Sequence, residues 1–172
     1  MFRSLAALAL VIAVSPSLAQ EPVTLPGGAS SLTETHGDWI VRCDVASQTA
    51  IACAVRQEQL DKATQQRLLA IEIIPAADDV SGTLVLPFGL SLERGVLLLV
   101  DDNMQMPNQR FATCLPGGCI VRLAIDPEVV VAMRNGKALN VVAVQDRGAE
   151  ARFAISLAGL ASALDRAAAL TE

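Results

Sequence analysis

The sequence predicts an all-β sandwich of about nine short strands with two short helices, and three observations lead there. From Asp38 onward, short runs rich in Val, Ile and Leu recur between Gly, Pro and Asp punctuation; runs of that length, so bounded, are strands rather than helices. Within them apolar residues return every second position, the pattern of a strand with one buried face. Four cysteines, an even number, follow an N-terminal export pattern, which points to disulfides on a sandwich scaffold.

The elements follow in order. In "DWIVRCDV", Trp39, Val41, Cys43 and Val45 alternate with Ile40, Arg42 and Asp44. "ASQTA" is a turn, and in "IACAVRQ" Ile51, Cys53 and Val55 share a face. An antiparallel pairing with Cys43 opposite Cys53 sets Val45 against Ile51 and Val41 against Val55. A slip of one residue would turn every one of them to the wrong side. "RQEQLDKATQQR", Arg56 to Arg67, reads as a long polar connection. "LLAIEIIPA", "SGTLVLPFGL" and "GVLLLVDD" read as buried strands. "QRFATC" and "CIVRLAI" form a second hairpin around a four-residue loop, Leu115-Pro116-Gly117-Gly118, with Cys119, Val121, Leu123 and Ile125 on one face. "DPEVVVAMRNG" is a short helix: Asp126 is the candidate N-cap, Pro127 sits at the first helical position, and Gly136 lies just past the end. "KALNVVAVQ" and "EARFAISL" are strands joined at Asp146-Arg147-Gly148. A closing helix follows, which Ser156 can cap and whose Leu157, Leu160 and Leu164 form an apolar stripe.

The N-terminus bounds the compartment. Arg3, the apolar run Leu5 to Val14, the break at Ser15-Pro16 and the small residues around Leu18 make residues 1–19 a signal peptide, too short to span a bilayer. Removing those 19 residues from 172 leaves 153, one domain's length. Residues 20–37, "QEPVTLPGGASSLTETHG", lack a period and read as a flexible leader whose loss would leave folding intact, ahead of a single domain at 38–172. Without Arg3 the 13 basic residues become 12 against 18 acidic ones, a net charge of −6. That balance argues against nucleic acid and against anionic membranes. No later run is long enough to cross a membrane. These features place the chain in the periplasm or outside the cell.

Chemistry is sparse. The cysteines, Cys43, Cys53, Cys114 and Cys119, allow three connectivities. Zinc would need two close pairs, and only the second has compatible spacing; a redox centre would need C-x-x-C ahead of a helix, which is absent. The strand pattern favours two local bridges, Cys43–Cys53 and Cys114–Cys119, each contributing about 2–3 kcal/mol by loop entropy. His36 reads as a solvated loop histidine rather than a catalytic base, and G-x-S-x-G and H-E-x-x-H are missing. The acidic pairs Asp78/Asp79 and Asp101/Asp102 read as solvated turns. "DDNMQMPNQ" only faintly resembles a calcium loop at Asp101, Asn103 and Gln105. Met104 and Met106 are packing residues rather than copper ligands. No catalytic residue, cofactor or metal site is expected.

Five segments in order carry a family resemblance: "GDWIVRC" at Gly37–Cys43, "LPFGLSLERGVLLLVDD" at Leu86–Asp102, "FATCLPGGC" at Phe111–Cys119, "RNGKALNV" at Arg134–Val141 and "SLAGLASAL" at Ser156–Leu164. Together they resemble the invasion associated locus B family of exported bacterial proteins. Phe88 and Leu160 stand where that pattern leads one to expect other large apolar residues. The resemblance implies an immunoglobulin-like sandwich in a Gram-negative bacterium, with no catalytic residues to carry over. The expectation is a non-enzymatic envelope or secreted protein that binds an unidentified envelope or host protein. A periplasmic small-molecule or glycan-binding module is the alternative, and a hydrolase using the acidic pairs is a third option.

Overall fold

The computed structural model describes residues 22–76 and 80–171, so the predicted signal peptide and the Asp78/Asp79 pair lie outside the described residues. Among the described residues the order is β1 (Ser31–His36), β2 (Trp39–Ser47), β3 (Ala50–Leu60), β4 (Arg67–Ile74), β5 (Val80–Leu86), β6 (Val96–Val100), β7 (Met104–Gln105), β8 (Phe111–Leu115), β9 (Gly118–Ile125), α1 (Pro127–Asn135), β10 (Ala138–Val144), β11 (Glu150–Ser156) and α2 (Leu160–Thr171). The strands form two antiparallel sheets, a seven-stranded one in the order β1-β2-β3-β4-β5-β9-β8 and a four-stranded one in the order β11-β10-β6-β7. Their inner faces share one core, and the architecture is an immunoglobulin-like sandwich. All nine expected strands are present; β1 and the two-residue β7 are additional.

The predicted register holds on the first hairpin. Cys43 pairs with Cys53, Val45 with Ile51 and Val41 with Val55. Trp39, Val41, Cys43, Cys53 and Val55 are buried, so the alternation marks the core face. Both cysteine pairs are bridged, with Cα separations of 4.1 Å for Cys43–Cys53 and 3.9 Å for Cys114–Cys119.

Three expectations are corrected. The leader is not flexible from Val23 onward. Val23 N–H donates to Gln48 O at 3.0 Å, Leu25 is buried in the core, and β1 pairs with β2 from Ser31↔Asp44 to His36↔Trp39. An edge strand is held by its main chain and needs few apolar side chains, so composition hides it. The polar connection Arg56–Arg67 shrinks to Asp61–Gln66, because β3 runs to Leu60 and β4 starts at Arg67. Gln57 lies in phase with Cys53 and Val55 and is buried, its amide donating to Ser156 O at 3.0 Å. Gln59 donates to Ala154 O at 2.7 Å. These amides cover the outer edge of β11, and a glutamine in a core phase reads as loop until its partner is seen. The second hairpin turns on Pro116-Gly117 alone, since Leu115 already pairs with Gly118.

The helix ends also differ from the reading. Asp126 occupies the N-cap position of α1 without a side-chain cap bond. Gly136 keeps φ at −80°; its role is space, because a Cβ there would stand 2.8 Å from Val100 Cγ1 and 3.1 Å from Leu157 Cδ1. α2 starts at Leu160 rather than being capped by Ser156, which ends β11. Its buried stripe, Leu160, Ala163, Leu164 and Ala167, packs on β2 and β3.

Candidate functional site

His36 ends β1 and is not a loop residue: its Nδ1 lies 3.3 Å from Ser162 Oγ on α2, and its Nε2 lies 3.4 Å from Glu34 Oε2. The order Ser162–His36–Glu34 has the outline of a nucleophile–base–acid series. Its bonding is that of a tie. Ser162 Oγ donates to Gly159 O at 3.0 Å. Glu34 is gripped by Arg166 through two bonds of 2.8 Å from Nε and Nη2. That fork lowers the Glu34 carboxyl to about 2; the hydrogen bond from Arg166 is the chief cause, opposed by desolvation and aided by His36. The cluster joins β1 to α2.

Asp101 and Asp102, expected as a solvated turn, hold structure instead. The Asp101 carboxylate accepts from Ala138 N at 2.9 Å and Lys137 N at 3.0 Å. Asp102 accepts from the Asn140 amide at 3.1 Å. Together they fasten the β6–β7 turn to the start of β10. Met106 is buried, and half-buried Met104 packs against the core. Among the described residues no group of three His, Cys, Asp or Glu side chains could hold a metal ion, and no helix is long and apolar enough to cross a membrane.

Part of the exposed apolar surface lies beside the clasped hairpin. β5 meets β9 with Leu86 opposite Cys119, so the segment after β5 runs beside the Cys114–Cys119 bridge. Phe88 is 61% exposed and Leu92 47%; Leu115, 52% exposed, follows Cys114 on β8 and turns to the other face of that strand. Phe88 and Leu92 border a shallow depression of about 430 Å³, together with both cysteines of the bridge, Glu93 and Asp146. The segment is fixed from behind: Leu90 bridges to Gln145, Ser91 N donates to Val144 O at 2.7 Å and Asp146 N to Gly89 O at 3.0 Å. Cysteine spacing marks the bridge in the sequence, but nothing as clear marks Phe88 and Leu92. Their only signal was two large apolar residues in a Gly- and Pro-punctuated segment, where a solvated loop would carry polar ones.

The family model for invasion associated locus B (IalB) protein matches residues 39–168. The chain belongs to the invasion associated locus B family. An invasion protein B homolog of Brucella abortus (strain 2308) is 41% identical over 167 residues, covering 96% of this chain and 95% of that one. Invasion protein B of Bartonella bacilliformis is 33% identical over 174 residues, covering 98% and 92%. The crystal structure of invasion associated protein b from Bartonella henselae superposes with a TM-score of 0.76 at 30% identity, covering 81% of this chain and 97% of that one. The family match therefore starts at Trp39, whereas β1 and buried Leu25 already belong to the fold.

Proposed function

We propose that this chain is an exported, non-enzymatic envelope or secreted protein that binds a protein partner through the end of the sandwich clasped by Cys114–Cys119. The observation that carries the reading is the exposure of Phe88 and Leu92 beside a braced, disulfide-closed tip that also presents Leu115. Large apolar residues left in water on a rigid support are what the buried centre of a protein interface requires. Export is supported by the signal-peptide pattern of residues 1–19 and by two cystines. The reactive residue types are engaged in structural ties, which supports a role in binding rather than catalysis. The relatives are named invasion proteins, and the partner is accordingly an envelope or host-cell protein.

The test is capture from native envelope extract and from host-cell lysate, with cross-linked partners identified by mass. Phe88→Asp and Leu115→Asp alter exposed positions, so both variants should fold, and each should reduce capture of a specific partner at least about tenfold. Equal capture by the variants and the parent protein would overturn the assignment to the tip.

A further inference from the structure

The seven-stranded sheet contains a gap. β3 pairs with β2 from Ala50 to Arg56, but with β4 only from Val55 to Leu60. β4 ends at Ile74, and Pro75, with no N–H to give, cannot extend the ladder. Among the described residues, Ala50 to Ala54 therefore have a strand on one side only.

The register tells which main-chain groups face the gap. Val45 N–H donates to Ser30 O at 2.9 Å, toward β1. Val45 thus turns its polar groups away from β3, and Val45↔Ile51 is a non-hydrogen-bonded pair. By the two-residue period Cys43↔Cys53 is another, as its Cα separation of 4.1 Å agrees. Ile51 and Cys53 accordingly direct N–H and C=O into the gap.

The gap opens as a cleft of about 710 Å³, within the size range of ligand sites. Ile51 and Cys53 form one wall, Glu72 and Ile74 the other, and Ala168 and Thr171 of the last turn of α2 line the inner side. Of the charged residues that line the cleft, Arg42 is engaged by Asp44 at 3.1 Å, which leaves Glu72; Arg56, opposite Glu72 in the ladder, and Arg67 lie outside the lining and share Glu58. Glu72 makes no ion pair among the described residues. α2 has no basic residue in its last turn, so its carbonyl end adds negative potential.

We propose that this cleft takes an extended segment of another protein, added as a strand to the free edge of β3 through Ile51 and Cys53. A Lys or Arg side chain of the segment meets Glu72 on the outer face of the sheet, and its small apolar side chains, on the other face, lie on Ile51 and Ala168. Main-chain bonds supply affinity in such strand addition, and the side-chain pockets supply selectivity. The Cys43–Cys53 bridge fixes the receiving edge beforehand, which reduces the ordering that binding requires. This surface is separate from the tip and independent of it.

Amide hydrogen exchange on the full mature protein tests the proposal. The probe is a synthetic peptide alternating valine with lysine, compared with its glutamate-for-lysine counterpart. The Ile51 and Cys53 amides should exchange freely in the dilute protein and slow at least about tenfold with the lysine peptide only. Glu72→Lys should cancel that slowing, and so should Ala168→Arg from the exposed α2 side of the cleft, which keeps the test open if the first variant fails to fold. Leu115→Asp should not affect it. Amides already protected in dilute protein, protection that rises with protein concentration alone (a second copy in the cleft), no slowing with the lysine peptide, equal slowing by both peptides, or slowing that survives both cleft variants would overturn it. Tip capture is read separately, so either reading can fail alone.

Discussion

Glu34 shows how one side chain can set a pH limit. Its carboxylate receives both Arg166 nitrogens at 2.8 Å and also faces His36. The folded-state value of about 2 lies below the ordinary 4.5. The stabilisation it brings is therefore fully present above 4.5 and is lost as pH falls toward 2. Chemical-denaturant curves across that window should show a steeper acid loss for the parent protein than for Arg166→Met; parallel acid limbs would remove the pair from the acid response. The pair was not legible in the sequence. Glu34 and Arg166 are 132 positions apart, and a charged residue in a polar segment carries no sign of its partner. Gly159, with φ at +91°, belongs to the same corner. A Cβ there would run into the His36 carbonyl, so β1 and α2 meet at a position only glycine fits.

At the scale of elements, legibility followed side-chain period. β2, β3 and β9 bury alternate apolar residues, and their faces and the first hairpin's pairing could be read directly. β1 could not: Leu32, Glu34 and His36 are half-buried, and the strand is held by its ladder with β2. Deleting residues 20–35, which the sequence reading treats as harmless, removes this strand and buried Leu25. The melting temperature should fall by more than about 5 °C, since burial of Leu25 alone is worth about 2 kcal/mol. Differential scanning calorimetry checks this, and an unchanged midpoint would mean that β1 adds nothing to the folded state. The candidate tip was half legible: cysteine spacing located the bridge, whereas the exposure of Phe88 and Leu92 depends on how the segment after β5 is braced.

For the whole molecule, the decisive fact is that the two sheets share one core while each bridge stays within a hairpin. Thiol titration of the denatured, unreduced protein should find no free cysteine, and peptide mapping should link Cys43 to Cys53 and Cys114 to Cys119. The double variant Cys114→Ser with Cys119→Ser should lose about 2 kcal/mol by loop entropy and keep the fold. A molten or unfolded product would show that the clasp supports more than its own turn. The sequence separations of the bridges, 10 and 5, also bear on how the chain matures. On the proposed route of export the chain emerges N-terminus first, and each cysteine meets its native partner as its nearest neighbour in sequence. Oxidation can proceed bridge by bridge in order of emergence, and mispaired species have little chance to accumulate. Closure of β1 onto α2 must wait for the C-terminus. Maturation thus separates into early, local cross-linking and a late, long-range docking step, and the docking step is the one a chaperone or protease would encounter unfinished.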